Sequence, residues 1–159
     1  MPFTYKDGDT QPTFSGAAKD TVLQTGTTAG TIRVIAELGS FTDQATATVL
    51  PTLVTLDTKQ GTVLGNGVQI DVSGYDNSRS AGPLRFTFYD RNGNPLSVGA
   101  IRVDVGVDFR RYFDTTTYGG MFTLRAFFPV NSGSPAEISA VDLEITNNAG
   151  TTAAVRIPF

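Results

Sequence analysis

The chain contains no cysteine, no histidine and no tryptophan. Without histidine, the Ser-His-Asp mechanism, any histidine-based metal site and the usual proton shuttle of neutral pH are closed. Without cysteine there is no thiol nucleophile, thiolate zinc site or disulfide. Carboxylates, lysine, tyrosine and hydroxyls are what remain for catalysis. Lack of tryptophan also removes the largest stacking face for a sugar ring. Basic charge is sparse: twelve Lys and Arg are scattered, no run exceeds Arg110-Arg111, and the formal net charge is −3 with a pI near 4.8. Counterion release from nucleic acid needs a clustered basic face, so nucleic acid is not an expected partner.

Two further absences concern targeting. No apolar run approaches the ~20 residues needed to cross a bilayer as a helix. The N-terminal Met1-Pro2-Phe3-Thr4-Tyr5 lacks the basic-then-apolar order of a signal peptide. For an exported protein, export and anchoring signals are then expected outside this chain. A disulfide-free composition suits export and the cytosol alike.

What is present is a β pattern. Hydrophobic residues make up 40% of 159 residues and the mean hydropathy is −0.05, enough for a packed core. Apolar and polar residues alternate over short segments broken by Gly, Asn, Asp and Pro. Residues 31–38 place Ile32, Val34, Ala36 and Leu38 on one face. After Gly39-Ser40, residues 41–49 place Phe41, Ala45, Ala47 and Val49 on one face, which predicts a β-hairpin with one buried side. Upstream, 2–14 and 19–25 offer two short strands. Beyond Pro51, seven strands are expected over 53–57, 68–73, 84–90, 100–107, 121–128, 138–146 and 152–157. Asp90-Arg91-Asn92-Gly93-Asn94 and Asn147-Asn148-Ala149-Gly150 supply turn chemistry. A short helical turn is expected within 108–118.

Seven short strands over about 105 residues fit a β-sandwich. The chain therefore divides into 1–51, too short to bury more than a marginal core, and a complete unit over 53–159. The first part is expected to be the C-terminal portion of a truncated domain. Its exposed strand edges would invite a homodimer.

Two stretches resemble a known family. LQTGTTAGTIRVIAELGSFTDQATATV at 23–49 resembles the closing strands of bacterial immunoglobulin-like domains. The tail runs from Asp108-Phe109-Arg110-Arg111-Tyr112-Phe113 through Tyr118-Gly119-Gly120-Met121-Phe122-Thr123-Leu124 to Leu143-Glu144-Ile145-Thr146-Asn147. It is similar to the repeated modules in the C-terminal part of large bacterial extracellular proteins, departing from them in its Arg110-Arg111 pair. The resemblance implies an all-β, immunoglobulin-like (Greek-key) β-sandwich preceded by a partial one. It also implies an extracellular or cell-surface location, neighbouring modules of the parent protein as partners, and a spacer, stalk or adhesive role.

Each candidate site competes with a structural reading. Phe109, Arg110, Arg111, Tyr112, Phe113 and Tyr118 form the densest aromatic and basic cluster. Exposed, Phe109, Arg110, Arg111, Tyr112 and Tyr118 could contact a glycan or a protein. Sandwiches also bury aromatics where a connection crosses between sheets, with arginine laid over the rings, and that reading is favoured. Asp90, Asn92 and Asn94 match the opening ligands of a calcium loop, but the following Gly and distal Glu are missing and a hairpin turn is expected. Asp104 with Asp108, and Asp142 with Glu144, alternate with apolar neighbours and read as solvent-facing strand charges rather than an acid–base pair. Lys59, with Asn147 and Glu144, is a nominal Lys–Asn cross-link set, for which a solvated lysine is the favoured reading. The expectation is a non-catalytic structural or spacer module, with adhesive or ligand binding as the alternative and no metal or cofactor.

Overall fold

The computed structural model describes residues 3–4, 13–14, 26–117 and 119–159. In chain order, β1 (Phe3–Thr4) and β2 (Thr13–Phe14) form a two-residue antiparallel ladder. The remainder of the strand expected over 2–14, the strand expected over 19–25, and Tyr118 lie outside the described residues.

The hairpin is where the sequence puts it. β3 (Gly30–Leu38) and β4 (Phe41–Val49) pair antiparallel in continuous register, from Gly30 opposite Val49 to Leu38 opposite Phe41. Gly39 turns the chain at φ +58°, a left-handed conformation that costs a side-chain-bearing residue and glycine nothing extra. The expected buried face is not buried. Val34 is about half exposed and Phe41 is 78% exposed, and Ile35 on the opposite face is about half exposed too. The alternation that defines the face is real, but among the described residues no second layer covers it, and a two-stranded ladder has no interior of its own.

The rest of the chain builds two antiparallel sheets. The first contains β5 (Thr55–Leu64), β6 (Gly67–Tyr75) and β9 (Met121–Pro129), in the order β5-β6-β9. The second runs β11-β10-β7-β8 from β7 (Pro83–Asp90), β8 (Ile101–Asp104), β10 (Ile138–Asn147) and β11 (Gly150–Thr151), with β12 (Val155–Pro158) also pairing β10. A helix α1 (Gly106–Thr115) links β8 to β9, and a 3-10 turn (Pro135–Glu137) precedes β10.

Alternation decides which faces meet. β6 turns Val68, Ile70 and Val72 inward, β7 turns Leu84, Phe86 and Phe88, and β10 turns Val141, Leu143 and Ile145, all into one buried cluster. Edge-to-face contacts of Phe86 and Phe88 with Phe128, at ring-centroid distances of 4.8 and 5.0 Å, join the sheets through their facing sides. The outward positions carry charge in cross-strand pairs: Arg85 with Glu144, Arg156 with Asp142, and Arg125 with Asp71. Exposed pairs of this kind contribute little to stability, about 0–1 kcal/mol each.

Three expected elements are corrected. The strand placed at 53–57 is β5, extending to Leu64 and forming a hairpin with β6 through Gly65-Asn66. Gly61 lies inside the strand. A Cβ there would run into the Pro158 carbonyl and the Phe159 ring, so the close approach of the chain's last residues requires the glycine. The strand expected over 100–107 ends at Asp104, because the chain enters α1 two residues later. Of the strand expected over 152–157 only the second half forms, as β12 from Val155, while the two-residue β11 falls at the end of the turn expected over 147–150 and just beyond it.

Candidate functional site at the base of the hairpin

The aromatic–basic cluster is split by a helix. Phe109 and Phe113 are one helical turn apart, so both fall on the inner face of α1, where their rings stack at 5.8 Å. Phe109 also meets Phe122 edge-on at 5.1 Å, and both helix rings are buried. Burying two phenylalanines contributes about 1.5–3 kcal/mol each, which holds a helix too short to persist alone. Asp104 Oδ1 accepts the Gly106 N–H at 2.9 Å just ahead of the helix. Arg110, Arg111 and Tyr112 face outward and are exposed. Phe109 thus belongs to the core, while the outward three remain available on one short helix.

The other sequence candidates resolve as follows. Asp90 Oδ1 accepts the backbone N–H groups of Asn92 and Asn94, each at 2.8 Å. Those donors, the Asn94 N–H foremost, hold its carboxyl below the ordinary value. The segment is a turn closed by its own carboxylate. Among the described residues no group of three or more acidic side chains is placed to share a metal ion. Asp108 stands on α1, not on a strand, so it shares no strand face with Asp104. Asp142 and Glu144 face outward from β10, each paired with an arginine. The Arg156 guanidinium grips Asp142 at 2.7 and 2.9 Å, lowering its pKa, and lies 4.0 Å from the centre of the Tyr89 ring. Lys59 is exposed and stands opposite Val72. Asn147 is buried, with its amide committed to Thr52, Asp76 and Ser78. The nominal cross-link partners are not among each other's bonds.

The most tightly bonded polar cluster was not expected. It lies in the loop after β6, Asp76-Asn77-Ser78-Arg79-Ser80, where Asp76 is 0% exposed and Asn77 is 5% exposed. The Asp76 carboxylate accepts five bonds: Ser78 N at 3.0 Å, Ser78 Oγ at 2.7 Å, Ser80 N and Ala81 N at 2.7 Å each, and Asn147 Nδ2 at 2.9 Å. Burial pushes its pKa up, but the donors from Ser78, Asn147, Ala81 and Ser80 outweigh this, and the net effect is a lowered pKa. Arg79 takes a left-handed φ of +51°, a local strain of about 1 kcal/mol that the surrounding bonds must hold. A carboxylate saturated in this way has no lone pair left for a substrate proton. It organises a loop.

That loop holds Asn77 against the hairpin. The Asn77 carbonyl accepts the Ala29 N–H at 2.8 Å, immediately before β3. Its Nδ2 donates to the Leu50 carbonyl at 2.9 Å, immediately after β4, and its Oδ1 accepts the Thr52 N–H at 2.9 Å. Asn147 Nδ2 donates to the Thr52 carbonyl at 2.7 Å, and the Tyr75 hydroxyl donates to Thr27 Oγ1 at 2.5 Å. One residue therefore binds the chain on its way into the hairpin and on its way out. A run of small polar residues between strands ordinarily signals a solvated turn. The available hint was an Asp two residues before a Ser, the spacing of a side-chain-closed turn. The burial and the long-range partners had no local signal.

Compared with known proteins, the chain matches no protein-family model and no curated protein.

Proposed function

We propose that the chain is a non-catalytic structural module of a bacterial surface or secreted multidomain protein. In this reading, residues 53–159 form an immunoglobulin-like β-sandwich, and 1–51 carry the closing strands of a preceding module. The strand order supports it: β5-β6-β9 facing β12-β10-β7-β8 is a two-layer arrangement in which the chain crosses repeatedly between sheets. The observation that carries the functional reading is Asn77. A spacer must transmit direction from one unit to the next, and a residue bonded to both ends of the hairpin fixes that direction where a bare linker would swivel. Among the described residues the hairpin face has no cover and its edges no partner strand, which suits a neighbouring module or a second copy of this chain.

Asn77→Ala tests this reading. The side-chain bonds to Leu50 and Thr52 vanish while the Asp76 cluster stays intact. Residual dipolar couplings should then require separate alignment tensors for residues 30–49 and 55–159, where the parent protein fits one. The Thr52 amide should lose at least tenfold in exchange protection, as expected for a bond contributing about 1.4 kcal/mol. A variant that still aligns as one rigid body would remove the basis of the spacer reading.

A second reading is favoured by α1. Arg110 and Arg111 have no acidic partner among the described residues, and the Tyr112 ring is braced edge-on against buried Phe113 at 5.5 Å. A rigid ring beside two unpaired guanidiniums suits an acidic glycan or an acidic protein surface. Binding of a sulfated oligosaccharide, followed by calorimetry at low salt, should weaken at least tenfold in Arg110→Ser/Arg111→Ser. No saturable heat with the parent protein would count against this adhesive role.

A further inference from the structure

The two sheets do not close completely at the end opposite the helix crossover. Leu96 and Ile101, from the connection after β7 and the start of β8, stand half covered against the core. Phe128 and Val130, at the end of β9, do the same. Together with buried Phe88 and Ile138 they line a cleft of about 490 Å³, within the roughly 300–1,000 Å³ of small-molecule sites. The Phe128 ring is braced edge-on by Phe86 and Phe88, so this wall is preorganised. Exposed Val98 stands at the mouth.

The rim is polar. Ser97 lies on one bordering loop and Asn131, Ser132 and Glu137 on the other, all lining the cleft. None of these four side chains has a hydrogen-bond partner among the described residues, although Ser134 beside them caps the 3-10 turn by accepting the Ala136 N–H. Among the described residues Glu137 carries the only charge in the lining. A Cβ on Gly133 would come within 3.4 Å of its Oε2, which places the carboxylate over the 131–134 loop. Arg91 reaches the Ala136 carbonyl at 3.0 Å and does not line the cleft.

The geometry points to a binding site for a small organic cation, with a hydrocarbon body of ring size and a single ammonium group. The body fills the space between Phe88, Phe128 and Ile101. The ammonium reaches the Glu137 carboxylate and the free rim oxygens, which supply acceptors without a competing cation. An anion of the same shape would meet that carboxylate uncompensated. The inference stands apart from the spacer reading: it concerns the far end of the sheets and requires nothing of the hairpin.

The test is a titration of the full chain with phenethylammonium, phenylacetate and 2-phenylethanol, followed through backbone amide resonances. Saturable shifts confined to residues 96–101 and 128–138 are expected with the ammonium, which should bind at least tenfold more tightly than the carboxylate. Glu137→Gln changes an exposed position outside the core, so folding is retained. It should abolish the preference while leaving weak binding shared with the neutral alcohol. Equal affinity for the ammonium and the carboxylate, or no saturable shift with any of the three probes, would overturn the assignment.

Discussion

Asp76→Ala is expected to lower the stability of the protein by about 3 kcal/mol at neutral pH, seen as an earlier urea midpoint and a melting temperature lower by about 10 °C. The fully buried carboxylate gathers five donors in a partly buried loop. Deleting it leaves the Ser80 and Ala81 N–H groups and the Asn147 amide to find partners where little water reaches. Orphaned donors of this kind cost about 1–3 kcal/mol apiece, with partial relief as the loop relaxes. The sign of the pH dependence follows from the lowered pKa. An unfolded Asp takes up its proton near 3.8 and the folded one only at lower pH. Between those values the unfolded chain binds more protons, so this contribution is complete above about pH 4 and disappears as the pH falls through the native value. Asp71, Asp90 and Asp142 are lowered as well and steepen the acid limb in the same window. The gap between parent and variant should therefore narrow on acidification. A variant within about 0.5 kcal/mol of the parent at pH 7, well inside the range of surface substitutions, would mean that the loop is held by something other than this carboxylate.

Phe86→Ala should cost about as much or more, about 3–5 kcal/mol in urea unfolding. Phe86 lies in the middle of β7, directly across from Leu143 on one side and Ile101 on the other. It faces the opposite sheet through the Phe128 ring at 4.8 Å. Truncation removes contacts with three strands, and flanking β-strands tied by ladder bonds on both sides cannot close over the void. A loss below about 1.5 kcal/mol would show a core that collapses freely, which the two-sheet arrangement does not allow.

The legible parts of this fold are those where one face is wet and the other dry. β6, β7 and β10 announce themselves because Val68-Ile70-Val72, Leu84-Phe86-Phe88 and Val141-Leu143-Ile145 alternate with polar residues. Their observed bounds lie close to the expected ones. β5 was only half visible, because its second half is an exposed edge with Gly61 in the middle, where packing rather than propensity sets the residue. The helical turn expected within 108–118 is α1, a full helix that begins two residues earlier and ends at Thr115. Val103, Val105 and Val107 keep the strand rhythm past the point where the chain turns helical, and only the four-residue spacing of Phe109 and Phe113 speaks against it. That spacing also separates the binding candidates, sending Phe109 inward and leaving Arg110, Arg111 and Tyr112 outside. The polar cluster at the base of the hairpin had no periodic signature, because its members come from four separate stretches and meet only in the folded chain.

Those distances in sequence set an order of events. Asn147 bonds to Thr52 across 95 residues and to Asp76 across 71. The hairpin, by contrast, closes over a two-residue turn and can pair as soon as it is made. Local contacts form quickly and distant ones wait for loop closure. As the chain emerges from the ribosome, residues 30–49 therefore pair first and remain free to point anywhere while the next strands follow. The first unit acquires its direction when the loop after β6 brings Asn77 against Leu50 and Thr52, and Asn147 adds its bond to Thr52 once β10 is laid beside β7.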